Sequence, residues 1–168
     1  MEKTRVLFVC LGNICRSPLA EGVLRHLAAG TSRGLDMVVD SAGTGGWHQG
    51  QAPDARSVRL ASRFGIDISG LRARKIEPRD FHDFDLIFAM DRSNLRDLSR
   101  LSPSEGRAEL HLFMDFATGQ ARDVPDPYDD DEAAFEAVYA MLLEGCGKML
   151  DRLAAPDRSN SGKTSSVT

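Results

Sequence analysis

Among 168 residues there are three cysteines, one tryptophan and two tyrosines. No apolar run approaches the roughly 18 residues needed to cross a bilayer. The start Met1-Glu2-Lys3-Thr4-Arg5 leads into no signal-peptide apolar stretch or cleavage site, so a cytoplasmic protein is expected. There, an odd and small number of cysteines argues against a disulfide framework and turns attention to thiol chemistry. Charge of one sign is also scarce: 21 Lys and Arg stand against 25 Asp and Glu, a net charge of −4. Such a balance offers no general attraction to nucleic acid or to an anionic membrane, so neither is an expected partner. An anion bound here must be bound by a local site.

What is present suits one globular domain, expected over residues 1–155, followed by a small, polar, disordered tail at 156–168. Val6-Leu7-Phe8-Val9 is a continuous apolar run bounded by polar sequence and a glycine, as in a strand buried on both faces. From Pro18 to about Ala29 apolar residues recur at helical spacing, with Ser17 as candidate N-cap, Pro18 at the first helical position and Gly30 as terminator. Met37 to Ser41, Asp85 to Met90 and Glu109 to Phe113 read as further strands. Helices are expected from Pro53 to Phe64, Arg92 to Leu101 and Glu132 to Leu153. Alternating strands and helices predict an α/β domain with a parallel sheet and helices on both faces.

The junction between the first strand and helix carries the chemistry. Ligands of parallel α/β sheets bind beyond the carboxyl ends of the strands, where a helix N-terminus presents unpaired N–H groups. Cys10-Leu11-Gly12-Asn13-Ile14-Cys15-Arg16-Ser17 occupies that place. Gly12 and Asn13 suit left-handed backbone, which a nest of N–H groups curling round phosphate requires. Arg16 adds a planar fork able to hold two phosphoryl oxygens. A cysteine facing these groups is expected to be a thiolate and a nucleophile. Taken alone, Cys10 would read as a buried structural thiol; its company at this junction favours the reactive reading. Ser17 could donate to the thiolate, cap the helix, or do both.

Expelling an alkoxide or phenolate calls for an acid on a separate segment. Asp123-Val124-Pro125-Asp126-Pro127-Tyr128-Asp129-Asp130-Asp131 is its source, with Asp126, flanked by both prolines, the candidate; Asp129 to Asp131 read instead as the acidic start of the last helix. His26, His48, His82 and His111 have no metal-ligand spacing and read as surface or loop residues; no metal or other cofactor is expected. Cys146 reads as a packing residue within the last helix.

The loop from Cys10 to Pro18, together with Asp126-Pro127-Tyr128, resembles the low-molecular-weight protein tyrosine phosphatases. The likeness extends to Asp40-Ser41-Ala42-Gly43-Thr44, Arg72-Ala73-Arg74 and Met90-Asp91-Arg92-Ser93-Asn94-Leu95, over about residues 4 to 153. It implies a single three-layer domain with a four-stranded parallel sheet and a phosphocysteine intermediate formed without metal. Cys10 would be the nucleophile, Arg16 the transition-state clamp and Asp126 the acid, then base. Leu11, Gly12, Asn13, Ile14, Cys15 and Ser17 would complete the phosphate loop, supported by Asn13 and Ser41. Leu11, Trp47 and Tyr128 would wall a slot for the phenyl ring; without the resemblance Trp47 reads as an ordinary half-buried aromatic. Cys15 would form a reversible disulfide with Cys10 and so act as a redox switch. Where many members place a histidine that braces the loop asparagine, this chain has Leu71, so its bracing network is expected to differ.

The partner implied is a phosphotyrosine-containing protein, a bacterial tyrosine kinase being one candidate, met by a monomer or weak dimer. Three rivals are weighed against this. Arsenate reduction on the same fold needs further cysteines beyond the third strand, and residues 70–110 have none. Phosphoarginine phosphatases resemble this loop but place threonine where Ile14 stands. A non-catalytic phosphotyrosine-binding or redox-sensing module would have no use for the proton donor Asp126.

Overall fold

The computed structural model describes residues 3–31 and 36–154. The tail expected at 156–168 lies outside the described residues. Four strands, β1 (Thr4–Cys10), β2 (Met37–Gly43), β3 (Leu86–Ala89) and β4 (Glu109–Leu112), form one sheet in the order β2-β1-β3-β4. Every pairing is parallel, and the registers Cys10↔Gly43, Val9↔Ala89 and Ala89↔Leu112 bring the carboxyl ends to one edge.

The apolar run of β1 is continuous because each face of the sheet is covered. Val6, Phe8 and Cys10 point into a core shared with α1 (Arg16–Ala29), α5 (Phe113–Thr118) and α6 (Glu132–Ala154). Leu7 and Val9 point the other way, into a smaller core with Phe81 of α3 (Asp80–Asp83) and Leu98 of α4 (Arg92–Leu101). A period-two strand buried on both sides needs apolar residues at both parities, which β1 has. The remaining helix, α2 (Ala55–Arg63), packs beside α1 and α6. Its N-cap is Asp54, whose Oδ1 accepts the Arg56 N–H at 2.8 Å; Asp91 caps α4 by accepting from Asn94 N at 2.7 Å.

The fold differs from expectation at element ends. α1 starts at Arg16, two residues before Pro18, with Cys15 in the cap position and no side-chain cap. Ser17 is therefore inside the first turn and caps nothing. Gly30 ends α1 at φ −85°, without the left-handed turn for which glycine is favoured. The single turn of α3 is too short to show a period, and Phe113, expected to close the fourth strand, instead opens α5. Among the described residues no helix is long and apolar enough to cross a membrane.

Candidate active site

Beyond the carboxyl edge of the sheet lies a cavity of about 260 Å³, lined by Cys10, Leu11, Gly12, Ile14, Cys15 and Arg16 from the loop after β1. Trp47 and His48 from the loop after β2, and Asp126, Tyr128 and Asp129 from the segment before α6, complete its wall. Three segments remote in sequence thus converge on one thiol.

The loop is shaped by tying its carbonyls outward. Thr44 N donates to Cys10 O at 2.9 Å, Gly45 N to Leu11 O at 2.9 Å and Asp54 N to Ile14 O at 2.8 Å. Among the described residues, the N–H groups of Leu11 to Cys15 have no protein acceptor. Successive amides without partners at a helix N-terminus form an anion nest. Gly43 permits the close approach of β2: a Cβ there would lie 2.8 Å from Leu11 O and 3.2 Å from Asn13 N.

Left-handed backbone occurs at Asn13, with φ 56°, but not at Gly12. Gly12 serves a different purpose from the one expected, because a Cβ there would press on the His48 ring at 3.1 Å. The Asn13 side chain turns away from the cavity. Its Nδ2 donates to Ser17 Oγ at 2.8 Å and Ser41 Oγ at 3.0 Å, while its Oδ1 accepts from Arg74 N at 3.0 Å. The Asn13 and Ser17 side chains therefore stand behind the cradle rather than in its lining. Ser17 Oγ lies 3.0 Å from Cys10 Sγ, which assigns its hydroxyl to the thiol and not to the helix cap.

The bracing network continues to a residue that the sequence reading passed over. Ser41 Oγ donates to Glu21 Oε1 at 2.7 Å, and the Arg25 guanidinium approaches Glu21 Oε2 at 2.6 Å. Glu21 is only 2% exposed; burial pushes its carboxyl above the ordinary carboxylate range, against the pull of Ser41 and Arg25. Leu71 takes no part and packs on the larger core.

Arg16 is 2% exposed, among the largest fully buried side chains. Its Nη1 donates to Asp91 Oδ2 at 2.7 Å and to Val124 O at 2.8 Å, leaving Nε and Nη2 for the cavity. Burial pulls the guanidinium pKa down, but Cys10 and Asp91 outweigh it and hold the charge. Asp91 escaped the sequence reading as a site residue. Its signal was present: an aspartate just past a buried strand, at the edge where ligands bind.

Asp126 is 44% exposed at the side chain; its Oδ2 is 3.7 Å from Arg16 Nη2 and its Oδ1 accepts from Tyr128 N at 3.1 Å. Leu11, Trp47 and Tyr128 form the rim, and Trp47 is 71% exposed rather than half-buried. A methyl group on Gly45 would overlap the Trp47 ring, so glycine there lets the ring lie against the backbone. His48 was expected to be an ordinary surface or loop residue; it lines the cavity, its Nδ1 3.0 Å from Gln51 Oε1. His111 lies in β4, beside Phe88 and Phe116. Burial pushes the Cys15 thiol up to about 12, and Cys146 is wholly buried, as expected for packing. Among the described residues, no three His, Cys, Asp or Glu side chains cluster as a metal site would require.

A family model described as low molecular weight phosphotyrosine protein phosphatase matches residues 5–159. A protein of that description from Schizosaccharomyces pombe is 44% identical over 156 residues, covering 91% of this chain and 99% of its own length. The crystal structure of YfkJ from Bacillus subtilis is similar with a TM-score of 0.83 at 36% identity, over 98% of this chain and 99% of that one. That of a Drosophila arginine phosphatase is similar with a TM-score of 0.81 at 39% identity, over 90% and 99%.

Proposed function

The chain belongs to the low molecular weight phosphotyrosine protein phosphatase family, and from that premise we propose that it hydrolyses phosphotyrosine in cytoplasmic proteins through a phosphocysteine. The observation that carries the reading is the convergence of Cys10, Arg16 and Asp126 on one cavity.

Cys10 Sγ attacks phosphorus, the bond to the phenolic oxygen breaks, and Asp126 delivers its proton to that oxygen. The loop amides and the free edge of Arg16 hold the three equatorial oxygens as charge develops. Because Asp91 and Val124 fix one side of the guanidinium, little reorganisation is needed in the transition state. In the second step Asp126, now a carboxylate, takes a proton from water as its oxygen attacks phosphorus and the S–P bond breaks. The Ser17 hydroxyl, 3.0 Å from Sγ, stabilises the departing thiolate. A phosphotyrosine ring would lie between Leu11, Trp47 and Tyr128 at the rim.

The likeness to an arginine phosphatase raises phosphoarginine as a competing substrate. Ile14, which lines the cavity, offers methyl groups and no hydroxyl, and this favours an aromatic ester. A redox role for Cys15 belongs to the same reading. Cys15 lines the same cavity as Cys10; once a peroxide has oxidised Cys10 to its sulfenic acid, the Cys15 thiol would condense with it, forming the disulfide and releasing water that carries away the sulfenic oxygen and the thiol proton.

Hydrolysis of p-nitrophenyl phosphate with chelator present tests the mechanism. Cys10→Ser should lower kcat by at least about 10³-fold, and Asp126→Ala by at least about tenfold with phosphate binding retained. Equal rates for wild type and Cys10→Ser, or complete loss with chelator, would sink it.

A further inference from the structure

Asp126 sits in an irregular segment, residues 119–131, that must present a carboxyl to the cavity without a helix or strand to hold it. Its first half is anchored by the catalytic floor. Val124 N donates to Met90 O at 2.8 Å, Val124 O accepts from Arg16, and Arg92 reaches both Ala121 O and Asp123 Oδ1. Beyond Asp126 those anchors stop, and a different side chain takes over. Arg56, in the first turn of α2, donates from Nη2 to Tyr128 O at 2.8 Å and from Nη1 to Asp130 O at 3.2 Å.

The fork is itself held. Asp54 Oδ1 accepts from Arg56 Nε at 3.0 Å and Asp54 Oδ2 from Nη2 at 3.0 Å, and the guanidinium lies 4.3 Å from the Phe135 ring centroid. The same short stretch grips the phosphate loop, through Asp54 N to Ile14 O at 2.8 Å and Ser57 Oγ to Cys15 O at 3.5 Å. The N-terminus of α2 therefore joins the nucleophile's loop to the acid's loop. Tyr128 is the pivot: its N–H holds Asp126 Oδ1 while its carbonyl is held by Arg56.

We propose that Arg56 is the positioning residue for the proton donor, setting where the Asp126 carboxyl stands relative to the leaving oxygen. This rests on the reading of Asp126 as the acid. Arg56 is not among the residues lining the cavity, so its effect passes through the Tyr128 and Asp130 carbonyls. A lysine cannot reproduce it, because one ammonium lacks the planar fork that meets Asp54 and two carbonyls at once.

The test compares kcat/KM, which reports steps through leaving-group expulsion, for phenyl phosphate and 2,4-dinitrophenyl phosphate. A phenolate of pKa near 10 needs its proton, whereas the far more acidic dinitrophenol leaves without one. Arg56→Ala should lose about tenfold or more on phenyl phosphate and less than about threefold on the dinitrophenyl ester, with inhibition by inorganic phosphate unchanged. Arg56→Lys should fall between wild type and Arg56→Ala, and it keeps the question answerable if the alanine variant does not fold. Combined with Asp126→Asn, Arg56→Ala should add little, since the group it positions is gone. Equal losses on both esters, no loss on either, or full additivity with Asp126→Asn would overturn the proposal. If Asp126→Asn shows no dependence on the leaving group, the acid assignment itself fails, and this is read separately from the Arg56 result.

Discussion

At the junction of β1 and α1, Arg16 is 2% exposed and Asn13 makes three hydrogen bonds from a left-handed backbone; across the same cavity Asp126 is 44% exposed and its loop is irregular. The contrast follows from what each loop must do. Binding a phosphoryl group demands fixed dipoles, so the cradle is built into the core and braced from behind. The proton delivery proposed for Asp126 demands contact with solvent and leaving group, which fits a carboxyl near the surface steadied through its loop backbone. Cradle residues should therefore couple activity to stability, and acid-loop residues should separate them.

Arg16→Lys offers the sharpest break. It keeps the charge but loses the fork that meets Asp91, Val124 and the phosphoryl group together, and should lower kcat/KM by at least about 10²-fold in a steady-state aryl phosphatase assay. Asn13→Ala comes next. The left-handed φ becomes strained and Ser17, Ser41 and the Arg74 amide lose a buried partner, so urea unfolding should report a loss of about 2–3 kcal/mol.

Glu21→Gln should move the pH dependence of stability rather than its size at one pH. Burial raises the folded-state pKa of Glu21 above its ordinary value of 4.5, so the folded chain holds the proton more tightly than the unfolded one. Stability from this group is then full at low pH and declines as pH climbs through the window above 4.5 to the raised value. The glutamine variant should flatten that part of the decline in urea midpoints compared between about pH 5 and pH 7. Smallest of all, Asp126→Asn should change unfolding free energy by no more than about 0.5 kcal/mol while impairing turnover. A large loss of stability there would erase the distinction between the two loops.

The parallel α/β fold was legible because β1 carries apolar residues at both parities and the longer helices carry their period. The short α3 and α5 were not, since a single turn has no period and Phe113 suits either a strand or a helix start. Cys10, Arg16 and Asp126, the residues proposed to carry the reaction, were picked out from chemistry at a strand-to-helix junction and between two prolines, and the fold brings them to one cavity. Glu21 and Arg56 were not, because each acts through a partner at least 20 residues away in sequence; Asp91 carried a signal in its place just past β3, but its partner Arg16 lies far away in sequence. Gly12 shows the same limit: its need for glycine was legible, but the reason is the His48 ring and not its own φ.

By itself the sequence determined the cradle, because an anion nest at a helix N-terminus is made from consecutive residues and their local dihedrals. Tertiary structure alone decided how that cradle is braced and how the acid meets it. Those contacts join β2 to α1, β3 to the phosphate loop and α2 to the acid loop, and they are set by which buried polar groups the packing leaves facing one another.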